Sequence, residues 1–282
     1  MPMSFLASHE SRAPQGIGKS VPRREDARLL VGRGRYADDF NLPGQVYAYL
    51  VRSPHSHARI LNIDVAHAMG APGVIAVLTG SDAAADGLKP IPHSPVPANP
   101  HEVPLRNRDG SGFFIAPHPV LAVDVVRYVG EPIAIIVAET LANAMDAAER
   151  VEVVYEPVAA VARSRDALSP GAPLVWEQHG SNRCVDSEAG DKEATEAAFA
   201  RAAHIVRLET TINRVTGVPM ELRAAVGVCD EPTGRFTVYT SAGGGVIRQR
   251  DDIVGALGDE RRRPGCFGRR RREFRDSQQH LP

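Results

Sequence analysis

The chain has 282 residues, 43% hydrophobic and 24% charged, enough for two domains of ordinary size with a sizeable core. That balance excludes a disordered polypeptide, and no apolar run reaches the roughly 18 residues that a membrane-spanning helix needs. The net charge of −1 is unevenly placed: residues 259–282 hold eight arginines against four acids, a net of +4, which leaves −5 on residues 1–258, so the body of the chain is no general polyanion binder.

Residues 1–24 mix Ser, Pro, Gly and charge without period and are expected to form an extended arm. Glu25 to Leu30 reads as a short helical turn, and the run Gly32 to Asp39 (GRGRYADD) as a loop turned by its glycines and paired acids. Val46 to Val51 and Ala58 to Val65 are rich in β-branched and aromatic residues and read as strands. A short helix over Ala66 to Gly70 precedes Val74 to Leu78, an apolar run long enough for a buried strand. From Ala83 to Pro119 repeated prolines predict a long loop. Strands are expected over Leu121 to Tyr128 and Ile133 to Val137, then a helix over Thr140 to Arg150. Thr140 can cap that helix, and Leu141, Ala144, Met145 and Ala148 are expected to form its apolar face. Val151 to Tyr155 reads as a strand. Strands alternating with helices make the first unit an α+β domain, closing near Pro157.

Residues 161–190, with their turns and prolines, form the expected linker. Beyond it, Lys192 to Ala203 reads as a helix, His204 to Ile212, Ala224 to Cys229 and Phe236 to Thr240 as strands, and Pro232 to Arg235 as the turn of a hairpin. Val246 to Leu257 has helical spacing. Cysteines 184, 229 and 266 are odd in number and widely separated, which suits a reducing compartment. Residues 1–18 lack the basic start and apolar run of a secretory signal, so cytoplasmic residence is expected.

The strand, triple-glycine loop and helix over Phe236 to Leu257 form the arrangement most suggestive of ligand binding. Gly243, Gly244 and Gly245 allow close backbone approach, and N–H groups at the helix start favour an anion such as phosphate; a tight strand-to-helix turn explains the same residues. Gly18-Lys19-Ser20 has no partner glycine five residues earlier, where Ala13 stands, and so is no P-loop. His55 and His57 follow a strand without a declared third metal ligand, so hydrogen bonding to backbone is expected for them. Glu131 and Glu221 are isolated carboxylates with structural pairing expected, and Cys229 is expected in the core. Arg269 to Arg272 reads either as a nucleic-acid patch or as a basic tail.

Several strings occur in a specific order: GKSVPRRED at 18–26, GRGRYADD at 32–39, VRSPHSHARI at 51–60, VRYVGEPIAIIVAET at 126–140, VEVVYEP at 151–157 and PMELR at 219–223. Together they resemble the N-terminal part of the molybdopterin-binding large subunit of the xanthine dehydrogenase, aldehyde oxidase and aerobic carbon monoxide dehydrogenase family. The resemblance covers about residues 16–258. It implies an α+β fold made of an a/b hammerhead domain over 25–160, a linker over 161–190 and the start of the first molybdopterin-binding domain over 191–258. In that scheme His55, His57 and Glu131 are scaffold positions. The implied cofactor is molybdenum–molybdopterin, with FAD and [2Fe-2S] centres on a medium and a small partner subunit. The implied chemistry is hydroxylation of an aldehyde, N-heterocycle or CO-type substrate with oxygen from water. Where many members of the family carry a Thr-Gln pair after the strand at 236–240, this chain has Gly243-Gly244, so contact through backbone N–H groups of Gly243, Gly244 and Gly245 is what the resemblance leaves for cofactor binding. The family continues far beyond this length and holds its catalytic glutamate near its distant C-terminus, which implies a fragment inactive alone or a non-catalytic docking module.

After Gly258 the resemblance stops and arginines crowd in, the pattern of a shifted reading frame over 259–282. Reading the second and third base of each codon with the first base of the next, one choice of silent bases turns Arg269 to Arg275 (RRRREFR) into Asp-Val-Gly-Gly-Asn-Phe-Gly, which contains the GGxFG motif that the family carries at this distance. Glu273 then permits only Asn or Ser, and Phe274 only Phe or Ser. Sequencing the encoding DNA is expected to show Gly-Gly-Asn-Phe-Gly in the shifted frame; any other reading there refutes the shift.

Overall fold

The computed structural model describes residues 23–34, 36–93, 106–213, 215–218, 222–230, 232–233, 235–240 and 245–258. The fold is α+β. Strands β1 (Tyr47–Arg52), β5 (Pro132–Ala138) and β3 (Val74–Thr79) form one antiparallel sheet in the order β1-β5-β3, and β4 (Val125–Val126), β2 (Ala58–Asp64) and β6 (Glu152–Pro157) form a second in the order β4-β2-β6. Helices α1 (Asp26–Leu29), α2 (Ala66–Met69), α3 (Gly80–Ala85) and α4 (Leu141–Ala148) accompany these strands. Beyond them lie α5 (Lys192–Arg201), the hairpin β7 (Ala225–Asp230) and β8 (Arg235–Thr240), and α6 (Val246–Leu257).

Strand β5 organises the first unit. Its sequence, PIAIIVA, is apolar without alternation, the pattern of a strand covered on both faces. Ile136 and Ala138 pack with Ala68, Ala71 and Val77 beneath Ala144 and Ala147 of α4. Ile133 faces the other way, into a cluster with Ala58, Ala122 and Val126 over the second sheet. Strand alternation places Ile133 opposite Ile136 and Ala138, and a bulge sits at the same point: Val51 pairs with Ala134 and Arg52 with Pro132, which leaves Ile133 as the extra residue. Two further irregularities act in the opposite sense. Leu61 in β2 and Ile75 in β3 lack a register partner and stand 61% and 53% exposed.

Most of the buried apolar side chains are alanines, so the layers approach closely. At Gly80 a Cβ would lie 2.2 Å from the Ala122 carbonyl oxygen. Gly73, at φ +71°, turns the chain into β3 where a Cβ would meet the Asn143 amide at 2.1 Å. Thr79 caps α3 in a reciprocal box with Asp82, its oxygen accepting the Asp82 N–H while Asp82 accepts the Thr79 N–H at 2.7 Å.

Five expectations are corrected. The strand over Leu121 to Tyr128 shrinks to Val125–Val126: the Ala122 N–H donates to the Pro132 carbonyl at 2.8 Å, beside β5, while Val125 and Val126 pair with β2, so this stretch crosses between sheets and cannot stay regular. The apolar face of α4 is rotated; Ala144 and Ala147 are buried with Ala148 packed beside them, while Leu141 and Met145 are exposed, because small side chains let the helix sit low on the sheet. Strand β3 is an edge strand, so Val77 is buried while Ile75 and Leu78 are exposed. Residues 204–212 form no strand with any described residue. The expected loop from Ala83 begins inside α3, and residues 106–119 form neither helix nor strand.

Candidate functional site

Among the described residues, the second half meets the first around Phe40 and along residues 87–92. Phe40 stacks on Tyr239 of β8, ring centroids 5.5 Å apart. The Lys89 N–H donates to the Ala256 carbonyl at 2.7 Å, at the C-terminal end of α6. Between these, the helix lies so close to residues 87–92 that a Cβ at Gly255 would be 2.7 Å from Pro92 and one at Gly258 would be 3.0 Å from the Gly87 carbonyl oxygen. Gly258 also ends the helix in the left-handed region, φ +68°, its N–H donating to the Val254 carbonyl at 3.2 Å. Sequence reasoning missed this docking, although a glycine inside a helical pattern was the available signal.

At the other end of α6 stands Gly245, with φ +99° and open space where a Cβ would lie. No side chain caps this helix start. A 12-residue helix beginning this way presents backbone donors and the positive end of its dipole, which suits an anionic oxygen. Of the three glycines singled out from the sequence, only Gly245 is placed here; Gly243 and Gly244 lie outside the described residues, as do Glu221, the GKS residues at 18–20 and the tail at 259–282.

His55 and His57 diverge. The His57 Nδ1 is 2.9 Å from the Ala159 carbonyl oxygen, and the His55 ring lies edge-on to Tyr155 at 4.7 Å. Among the described residues no group of three or more His, Cys, Asp or Glu side chains is placed to hold a metal ion. Cys229 is exposed on β7, a correction to its expected burial, because among the described residues no further strand joins the two-stranded hairpin.

Glu131 is the one carboxylate buried among the described residues, 4% exposed. Its oxygen accepts the Arg127 N–H at 2.5 Å, its carbonyl accepts the Ser53 N–H at 2.9 Å, and the adjoining Gly130 N–H donates to Ser53 at 2.8 Å. The GEP turn thereby clamps the β1–β2 loop to β5. Arg127 places its guanidinium 3.6 Å over the Trp176 ring and donates to the Val175 carbonyl at 3.2 Å. Phe114 stacks on His179 at 3.7 Å, and Arg108 makes a two-pronged pair with Asp186 at 3.0 and 2.9 Å. Residues 161–190, read from sequence as a linker, are thus strapped along residues 106–127. Long-range aromatic and cation contacts of this kind leave no periodic trace in a sequence.

The family model "Aldehyde oxidase and xanthine dehydrogenase, a/b hammerhead domain" matches residues 31–159, and "Molybdopterin cofactor-binding domain" matches residues 175–257. The chain belongs to the family of molybdenum hydroxylase large subunits. It is 36% identical over 256 residues to the carbon monoxide dehydrogenase large chain of Afipia carboxidovorans, covering 86% of this chain and 29% of that one. It is 38% identical over 213 residues to the 6-hydroxypseudooxynicotine dehydrogenase complex subunit gamma of Paenarthrobacter nicotinovorans, covering 74% of this chain and 25% of that one. The crystal structure of quinoline 2-oxidoreductase from Pseudomonas putida 86 superposes with a TM-score of 0.74 at 34% identity, over 89% of this chain and 30% of that chain. The chain therefore spans under a third of the length of these relatives.

Burial holds the Glu131 carboxyl above the ordinary glutamate range, partly offset by the Arg127 N–H and guanidinium. The folded state then binds this proton more tightly than the unfolded chain, so this group's contribution falls as pH rises above the unfolded value. In urea titrations, Glu131→Gln is expected to gain stability relative to the parent as pH rises above the ordinary glutamate range; a difference independent of pH would contradict the assignment.

Proposed function

We propose that this chain supplies the scaffold and one wall of the cofactor pocket for a molybdenum hydroxylase complex, and is inactive alone. The observation that carries this reading is the distribution of burial: among the described residues every buried side chain lies between Ala37 and Ala147, while α5, β7, β8 and α6 bury none. A pocket wall without a layer behind it cannot hold a cofactor rigidly or exclude water, and catalysis by a cofactor depends on the protein doing both.

The residues proposed to hold the cofactor are Gly245 and the N–H groups of the first turn of α6, with Gly243 and Gly244 adjoining them in sequence. Gly245 permits close approach, the helix start offers donors to an anionic oxygen, and Lys89 and Pro92 fix the far end of the helix. Molybdenum–molybdopterin, when bound, supplies the oxygen-transfer chemistry by which a carbon centre of an aldehyde, N-heterocycle or CO-type substrate is hydroxylated with oxygen from water. The proposed assembly includes a [2Fe-2S] small subunit and an FAD-binding medium subunit as electron acceptors; that the Paenarthrobacter nicotinovorans relative is itself a subunit of a dehydrogenase complex supports this. Among the described residues no helix is long and apolar enough to cross a membrane, and the proposed compartment is the cytoplasm.

A docking module that keeps only the hammerhead is the second reading, favoured by the completeness of the core over 37–147. The purified chain is expected to carry no stoichiometric molybdenum by elemental analysis and to reduce no dye with aldehydes or purines. Turnover with tightly held molybdenum would overturn the proposed incompetence.

A further inference from the structure

Residues 204–213 have the sequence of a strand and the surroundings of none. Val206, Leu208 and Ile212 fall on one face at a period of two, while Arg207 and Glu209 fall on the other. Glu209 pairs with Arg165 of the 3-10 helix at Ser164–Leu168, which ties the polar face to the protein and leaves the apolar face outward. Val206, Leu208, Ile212, Val215 and Val218 are 86% to 93% exposed. No backbone hydrogen bond joins residues 204–213 to another described residue. Water solvates such a backbone readily, but it does not explain five large apolar side chains left almost bare in one stretch; an apolar run of that kind marks a contact surface.

The occupant follows from two observations. The segment lies within the match to the molybdopterin cofactor-binding domain, over 175–257, so it belongs to a domain and not to a free linker. The relatives extend to more than three times the matched length, with this chain covering 25% and 29% of two of them. A strand with one apolar face and unpaired backbone is completed by strand addition, in which main-chain bonds supply affinity and alternate side chains enter pockets. We propose that residues 204–213 and 215–218 form a docking seam for a polypeptide equivalent to the portion of the large subunit that this chain does not span. The inference rests on the family reading above. A second copy of this chain is the competing occupant and is an outcome of the test.

The tagged 282-residue chain is co-expressed with a polypeptide corresponding to the rest of the Afipia carboxidovorans large chain, and the purified product is sized by light scattering. A one-to-one complex is expected, with the double variant Val206→Asp, Leu208→Asp lowering recovery of the second polypeptide at least about tenfold. Leu30→Asp, at an exposed site on the first unit, is expected to leave recovery unchanged. Because the substituted side chains are exposed, the thermal transition of the hammerhead core should stay where it is in both variants. Absence of a complex would overturn the seam, as would a complex indifferent to the double variant, or a homodimer of this chain that the double variant dissolves. Pterin content of the purified product reads the cofactor proposal separately. A complex lacking pterin upholds the seam while counting against the cofactor assignment.

Discussion

A strand that is apolar on both faces has to be covered twice, and β5 imposes that requirement on everything around it. Its two faces recruit different layers: α4 and the α2 turn over Ile136 and Ala138, and the second sheet over Ile133. Alternation along β5 lets one strand serve both, since Ile133 points to the side opposite Ile136 and Ala138, and the register shift opposite Val51 and Arg52 falls at that residue. The GEP turn at the start of β5 then closes the arrangement through Ser53, and Glu131 is buried as a consequence of that closure.

The second half obeys no comparable constraint. Its elements arise from local signals: Asp191 accepts the Ala194 N–H at 2.8 Å to start α5, Gly258 ends α6, and a turn at 232–233 brings β7 beside β8. Helices of 10 and 12 residues are marginal in water on propensity alone, and a two-stranded hairpin is no more secure. What holds them against the first half is a small set of contacts, the Phe40 and Tyr239 stack and the close fit of Gly255 and Gly258 over residues 87–92. The sparsely buried half is the part that matches the molybdopterin cofactor-binding domain, and the chain as a whole covers 29% of the Afipia carboxidovorans large chain.

Legibility in the sequence tracked the locality of the signal. The range of α6 coincides with the spacing reading, the Thr140 cap is observed with its oxygen accepting the Asn143 N–H at 3.1 Å, and the strands at β1, β2, β5 and β6 fall within a residue or two of their expected positions. Features decided by tertiary partners were not legible. Leu121 to Tyr128 had the composition of a strand, yet its residues bond to two different sheets. Leu141 and Met145 had the spacing of a buried face, yet alanine packing turned them outward. Residues 204–212 had strand alternation, yet nothing described pairs with them. At the candidate site the glycines were legible as a loop before a helix, whereas the docking of α6 and the Arg127 and Trp176 stack depend on residues far apart in the chain. The capping box at Thr79 and Asp82 carries its three-residue spacing in the sequence.

Native-state amide hydrogen exchange on the full chain tests most directly whether stability is concentrated in the first unit. The account predicts slow exchange in β1, β5, β2 and α4, at the level of global unfolding, and exchange close to that of an open chain throughout 192–258. Protection in β7, β8 and α6 equal to that in β5 would contradict it.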